Sequence, residues 1–271
     1  MAGAWCLDCP PALRIFQEAS EALGYDLLEV CINGPSEQLN TTAISQPALL
    51  VTSLAMLEVL RLRDDTPFSG NHREFFTAGH SLGEYSALVH AGALDVQSAV
   101  RVVDVRGRAM QACADAEPGG MVAILGLERD QISEVCDTAR GSDVLSIANV
   151  LCPGNIVVSG SRSACDRVSE LATKAGAMKC VPLAVAGAFH TQLMEPARDK
   201  LAEILDKIGF CEPKIPVISN VDARPHTDPV EIRSLLAQQV CGVVEWHASM
   251  EHLLSTGVGC LWEVGPGRVL R

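Results

Sequence analysis

The sequence predicts an α/β protein: a larger unit built around a parallel sheet, interrupted by a smaller βαββαβ insert. Three observations predict it. Short β-favouring apolar runs alternate with amphipathic helical stretches along most of the chain. The tight turn Gly79-His80-Ser81-Leu82-Gly83 stands between a buried-strand pattern and a helical one. From Gly120 the order of elements becomes strand, helix, strand, strand, helix, strand.

The elements follow in order. Leu13, Phe16, Ala19 and Leu23 recur at helical spacing, so 13–23 is a helix. A second helix spans 46–62, with Pro47 near its start, where a missing N–H costs nothing. Residues 63–73 form a polar loop. Glu74-Phe75-Phe76-Thr77-Ala78 is short and apolar, the pattern of a buried strand. After the glycine turn a helix over 84–90 stops near Gly92, a natural helix-ending glycine, and another spans 96–113. Strands at 121–125, 144–150, 156–159 and 178–185, with helices at 129–140 and 162–174, give the order of a ferredoxin-like unit, bounded here at 117–186. Cys152-Pro153-Gly154-Asn155 is its central turn. The larger domain is therefore discontinuous, 1–116 and 187–271. It is completed by a helix at 191–208 and strands at 215–219 and 260–264. There are no internal repeats.

Composition narrows the function classes. The 271 residues are 48% hydrophobic and 20% charged, enough for a sizeable core. Aromatics make up only 4%, so that core is mostly Leu, Val, Ile and Ala. Acidic residues outnumber basic ones by 33 to 21, and no Lys/Arg run stands out, which argues against nucleic acid as the main partner. No window approaches the ~20 unbroken apolar residues of a membrane span, and no secretory signal is evident. The expectation is a soluble cytoplasmic protein without a membrane partner, or a plastid or mitochondrial one if a leader precedes Met1. Of eleven cysteines only Cys6 and Cys9 form a C-x-x-C pair, and no second pair answers it. A zinc site needs about four ligands, so no metal is expected and the thiols are taken as reduced.

Gly79-x-Ser81-x-Gly83 matches the nucleophile elbow of an α/β hydrolase-like core. The serine there sits on a strained strand-to-helix turn, and side chains two residues to either side are expected to collide with neighbouring backbone. The following helix aims free N–H groups and its positive end at the serine oxygen. A serine needs a base. Among seven histidines, His72 lies in the polar loop and His80 inside the turn, its side chain expected to point away from the serine Oγ. His90, His226, His247 and His252 have nothing special around them. His190 follows a predicted strand and the small-residue stretch Ala186-Gly187-Ala188, and precedes a helix. Such junctions are where α/β sites form. On local grounds the base stays open, with His190 one candidate.

Longer segments carry a resemblance. Gly79-His80-Ser81-Leu82-Gly83-Glu84-Tyr85 resembles the signature of malonyl-CoA:acyl carrier protein transacylases. Ser45-Gln46-Pro47-Ala48-Leu49-Leu50, Arg106-Gly107 with Met110-Gln111, Gly187-Ala188-Phe189-His190, Ser219-Asn220-Val221-Asp222 and Glu263-Val264-Gly265-Pro266-Gly267 resemble that family's other segments, in order, over nearly the whole chain. The resemblance implies that Ser81 attacks the thioester of malonyl-CoA while His190 takes its proton. The phosphopantetheine thiol of an acyl carrier protein then removes the malonyl group, a ping-pong course. No cofactor is bound; the phosphopantetheine arrives on the partner. It also implies that a main-chain carbonyl near Gln239 orients the histidine. Arg106 matches the family's carboxylate clamp, where a planar guanidinium meets two carboxylate oxygens. Without the resemblance, Arg101, Arg106 and Arg108 are better taken as a solvated helix face. Phe189 resembles malonyl-type rather than methylmalonyl-type relatives, its ring leaving little room for an α-methyl. Gln46 is placed in the same pocket. A monomer is expected.

The resemblance further implies a first strand ending in a G-Q-G-S-Q-type loop, whose first glutamine supplies one oxyanion N–H while Leu82 supplies the other. Residues 1–10 carry no such loop, and Arg271 follows soon after Gly265-Pro266-Gly267, where relatives continue. On this reading both ends are trimmed and turnover is expected to be weak. Two other functions stay open. One is a serine hydrolase or thioesterase, which needs an acid behind its histidine and has no use for Arg106. The other is a truncated, non-catalytic relative that only binds acyl carrier protein.

Overall fold

A computed structural model describes residues 4–63, 76–267 and 270. The polar loop, His72 and the start of the expected strand at 74–78 fall outside the described residues. Four helices open the chain: α1 (Pro10–Leu23), α2 (Leu27–Asn33), α3 (Ser36–Leu39) and α4 (Thr42–Arg61). α1 starts on two prolines, whose missing N–H groups fall where a helix has no use for them. α2 was not expected, yet its signals are present: Asp26 accepts from the Glu29 N–H, and Gly34 ends it. α4 begins four residues before the expected start. Pro47 therefore lies inside it and removes one helical hydrogen bond. By length and apolarity alone α4 could cross a membrane, but half of that window is buried within the fold. Its apolar faces pack on α1 and on the helix over Val96–Ala116.

The remaining helices are α5 (Gly83–His90), α6 (Val96–Ala116), α7 (Arg129–Arg140), α8 (Arg162–Lys174), α9 (Glu195–Leu205), α10 (Pro229–Gln239) and α11 (Trp246–Ser255). The strands are β1 (Thr77–Ala78), β2 (Gly119–Leu125), β3 (Leu145–Cys152), β4 (Asn155–Ser161), β5 (Lys179–Pro182), β6 (Val217–Ile218) and β7 (Pro225–His226). In the larger unit β1 pairs in parallel with β6, and β7 adds an antiparallel edge. Helices surround this short sheet, and Phe16, Leu50, Tyr85, Leu88, Val103 and Leu201 are at the centre of the core. α6 approaches α4 closely at Gly107, where a Cβ would come within 2.8 Å of the Thr42 carbonyl oxygen. That glycine is what lets the residue before it, Arg106, reach across to α4.

The second sheet has the order β3-β4-β2-β5, antiparallel throughout, with both crossover helices, α7 and α8, packed against it. This is the ferredoxin-like arrangement expected of a βαββαβ unit. Ile124, Leu145, Ile156 and Val158 meet Ile132, Ala164 and Val168 of the helices. A separate cluster, Met121, Ala148 and Val157, packs Phe189 of the larger unit. Edge strand β3 is also tied to the larger unit: Val150 N–H donates to Val244 O at 3.0 Å, and Val244 N–H to Ala148 O at 2.8 Å. Beside this bridge Arg129 makes a two-pronged ion pair with Glu245.

Three expected elements differ. Residues 260–264 form no strand: they run over the surface, with Leu261 52% and Trp262 48% exposed. An apolar run becomes a strand only where a ladder partner lies beside it, and no described strand pairs with 260–264. The helix expected at 191–208 is split into a 3-10 turn at Gln192–Met194 and α9, because Pro196 has no N–H to continue the first turn. β5 covers only Lys179–Pro182 of the expected 178–185, although Met178 and Leu183 N–H still donate to Leu125 O and Met121 O of β2 at either end.

Candidate active site

The site forms where β1 meets α5. Ser81 has φ 49°, in the left-handed region that non-glycine residues adopt only when the surroundings enforce it. A Cβ on Gly79 would collide with the Gly83 carbonyl and come within 2.5 Å of Glu84 N, so no larger residue fits there. The collision expected at Gly83 does not arise: a Cβ there meets nothing within 4 Å. The constraint is one-sided because the turn folds the Gly79 side onto the helix start and leaves Gly83 facing open space. Leu82 is buried, and its N–H donates to no acceptor among the described residues.

His190 also sits at positive φ, 61°, and is 5% exposed. Its Nε2 is 3.0 Å from Ser81 Oγ, and its Nδ1 is 2.9 Å from the main-chain oxygen of Gln239. A carbonyl oxygen can only accept, so Nδ1 carries the proton and Nε2 presents its lone pair to the serine hydroxyl. Burial, reinforced by the nearby Arg106 charge, pushes the His190 pKa down to about 3, which keeps the ring neutral. His80 packs edge-on against Trp246, and its pKa is pushed down to about 4 by burial and by Arg106.

Arg106 corrects the reading of its helix face. It is 1% exposed, whereas Arg101 and Arg108 face solvent, the latter paired with Asp104. Its Nη1 donates to Gln46 Oε1 at 2.6 Å, and its Nη2 donates to Ser81 Oγ and Gln239 Oε1, both at 3.0 Å. The guanidinium lies over the Tyr85 ring at 5.6 Å. All its hydrogen-bond acceptors are neutral, so the buried charge has no anion in contact among the described residues. Gln46 is itself buried and places Nε2 against the Met110 sulfur.

Ser81, His190, Arg106, Gln46 and Gln239 thus form one hydrogen-bonded set. Phe189 is half-buried beside His190, in the seam between the two units. Two further residues bonded to this set were not singled out from sequence, Glu84 and Asn220, although both stand in the motifs quoted above. Glu84 is 2% exposed; its Oε2 accepts from Asn220 N–H at 3.0 Å and from Gln239 Nε2 at 2.7 Å. Burial pushes its pKa up to about 7, against the opposing pull of those hydrogen bonds and of Arg106. Asn220 accepts the Ser81 N–H at 2.6 Å and donates to Gly79 O at 2.8 Å.

These shifts give a testable pH dependence of stability. His190 and His80 titrate at about 3 and 4, against 6.5 in an unfolded chain. Between about 4 and 6.5 the unfolded chain therefore holds two more protons, and their contribution to stability rises with pH. Glu84 titrates at about 7 against 4.5, so between those values the folded chain holds one more proton and stability falls with pH. From pH 4.5 to 6.5 the two histidines outweigh the one carboxyl, so the net contribution of the three groups rises with pH. Glu84→Gln removes the opposing proton and should steepen the rise. Urea unfolding at pH 5 and pH 6 measures it; equal slopes for both chains would contradict the buried state of Glu84.

A hydroxyl so placed can take up an acyl group and release it to a second acceptor, which puts the fold and site among the acyltransferases. The family model described as an acyl transferase domain matches residues 13–268, and the chain belongs to that family. The malonyl CoA-acyl carrier protein transacylase of Salmonella typhimurium is 43% identical over 261 residues, 96% of this chain and 82% of the relative. An acyl carrier protein S-malonyltransferase from Vibrio cholerae superposes with a TM-score of 0.92 at 41% identity, covering 98% of this chain and 85% of the other. A malonyl-transacylase solved in complex with its type II PKS acyl-carrier protein gives 0.91 at 39% identity, covering 98% and 84%.

Proposed function

We propose that this chain transfers a malonyl group from malonyl-CoA to the phosphopantetheine thiol of an acyl carrier protein, in fatty acid or polyketide synthesis. The observation that carries the reading is Arg106, a buried cation with only neutral partners, 3.0 Å from the hydroxyl that takes the acyl group. A malonyl ester on Ser81 brings a carboxylate to that cation.

Each step uses groups already described. Ser81 Oγ attacks the thioester carbon as its proton passes to His190 Nε2. The C–S bond breaks, and the CoA sulfur leaves with the proton from His190. The carrier's thiol then gives its proton to His190 and attacks the ester carbon. Ser81 leaves as the alcohol, reprotonated by His190. Gln239 O holds the ring through both halves. The Leu82 N–H serves the oxygen that becomes negative in each tetrahedral intermediate. Arg106 turns from Ser81 Oγ to the substrate carboxylate, steadied by Gln46, and Phe189 limits bulk at the α-carbon. The phosphopantetheine comes with the carrier.

The test is a steady-state assay with malonyl-CoA, with and without phosphopantetheinylated carrier protein. Carrier-dependent formation of malonyl carrier protein is expected. Carrier-independent release of malonate would favour a thioesterase, and carrier binding without turnover would favour a binding module.

A further inference from the structure

We propose that Glu84 is a positioning residue for acyl transfer, one buried carboxylate oxygen that fixes the serine turn, the base and the guanidinium relative to one another. The inference rests on the acyl-transfer reading of Ser81. Glu84 stands in the first turn of α5, three residues after Ser81, and its side chain turns into the protein. Its Oε2 takes two N–H donors from distant parts of the chain, Asn220 N at 3.0 Å and Gln239 Nε2 at 2.7 Å.

Each donor residue then holds a different working part. Asn220 bonds both sides of the turn, accepting from Ser81 N and donating to Gly79 O. Gln239 holds the base through its main-chain oxygen and the guanidinium through Oε1, and its Nε2 also reaches Ser81 O at 3.1 Å. A side-chain amide is free to rotate or flip unless both its ends are engaged, and Glu84 engages the nitrogen end of Gln239. Above its pKa of about 7 the carboxylate suits this place because it only accepts, and an ionised acceptor makes stronger bonds than a neutral one. Glu84 has no hydrogen bond to Ser81 Oγ, His190 or Arg106, so it acts through its two donors.

The test is labelling of Ser81 by a sulfonyl fluoride, followed by quenched mass spectrometry on the full chain and its Glu84→Gln and Glu84→Ala variants. Sulfonylation needs the turn and the base but no malonyl group. If the unmodified chain is labelled yet transfers no malonyl, the malonyl reading fails and this test still stands. At about pH 8.5, where Glu84 is ionised, the labelling rate constant should fall about tenfold in Glu84→Gln, the difference between a charged and a neutral acceptor. It should fall about 100-fold in Glu84→Ala, as expected when reacting groups drift by about 1 Å. The final labelled fraction of soluble protein should not change. If the alanine variant does not fold, the glutamine variant, which keeps the shape, decides. An unchanged rate constant in Glu84→Gln would overturn the proposal. So would a loss confined to the labelled fraction, because a merely structural role lowers the number of working sites and not their rate.

Discussion

Ser81→Ala is expected to lose about 10⁶-fold in kcat, the scale seen when a nucleophile that works as a unit with its base is removed. The variant should still fold. Among the described residues Ser81 Oγ bonds only to His190 and Arg106, and alanine keeps the Asn220 bond to the main-chain N–H that holds the turn. What disappears is the only hydroxyl within reach of the His190 lone pair among the described residues. Brief incubation with malonyl-CoA followed by peptide mass spectrometry should place the acyl group on the peptide containing Ser81, and on no peptide of Ser81→Ala. An adduct that survives the substitution would remove Ser81 from the chemistry.

Arg106→Ala should separate two substrates. Malonyl transfer is expected to fall by about 30- to 5,000-fold in kcat/KM, which corresponds to roughly 2–5 kcal/mol for losing one side of a desolvated charge pair. Acetyl transfer, with no carboxylate to hold, should be spared or improved. A second signature follows from the charge itself. Arg106 helps to hold the His190 pKa low, so its loss lets that pKa rise toward its ordinary value. The base works only when neutral, so the acid limb of the acetyl-transfer profile should move to higher pH. Equal losses for both acyl groups would make Arg106 a packing residue that holds Gln46 and Gln239.

The elbow was legible because its information is local: two glycines, a strand before and a helix after. The βαββαβ unit was legible because each element carries its own strong periodicity, and the observed order follows. Arg106 could have been placed in the interior from its stripe alone. Ala99, Val103, Arg106, Met110 and Cys113 recur every three or four residues along α6, and all are buried. Glu84 and Asn220 were not legible. A carboxylate in a first helical turn is ordinarily a solvated, dipole-friendly charge, and only the tertiary fold turns this one inward. The strand expected at 260–264 failed for the same reason, because an apolar run does not say whether a neighbour exists to pair with it. α10 was signalled by Asp228-Pro229, which caps and opens it, but its apolar pattern is weak beside that of α7 or α8.

The hydrogen bonds that build the site join residues far apart in the chain: 60 positions between Gln46 and Arg106, 109 between Ser81 and His190, 139 between Ser81 and Asn220, 158 between Ser81 and Gln239. Contacts of such separation form late, after most of the chain entropy has been given up. During synthesis the chain is made from its N-terminus, so Ser81 leaves the ribosome well before the carbonyl that orients its base. Until residue 239 has arrived and docked, the serine is an ordinary alcohol. A chain that ends before residue 239 therefore lacks the carbonyl that orients the base, and with it the means to take acyl groups from the cell's thioesters.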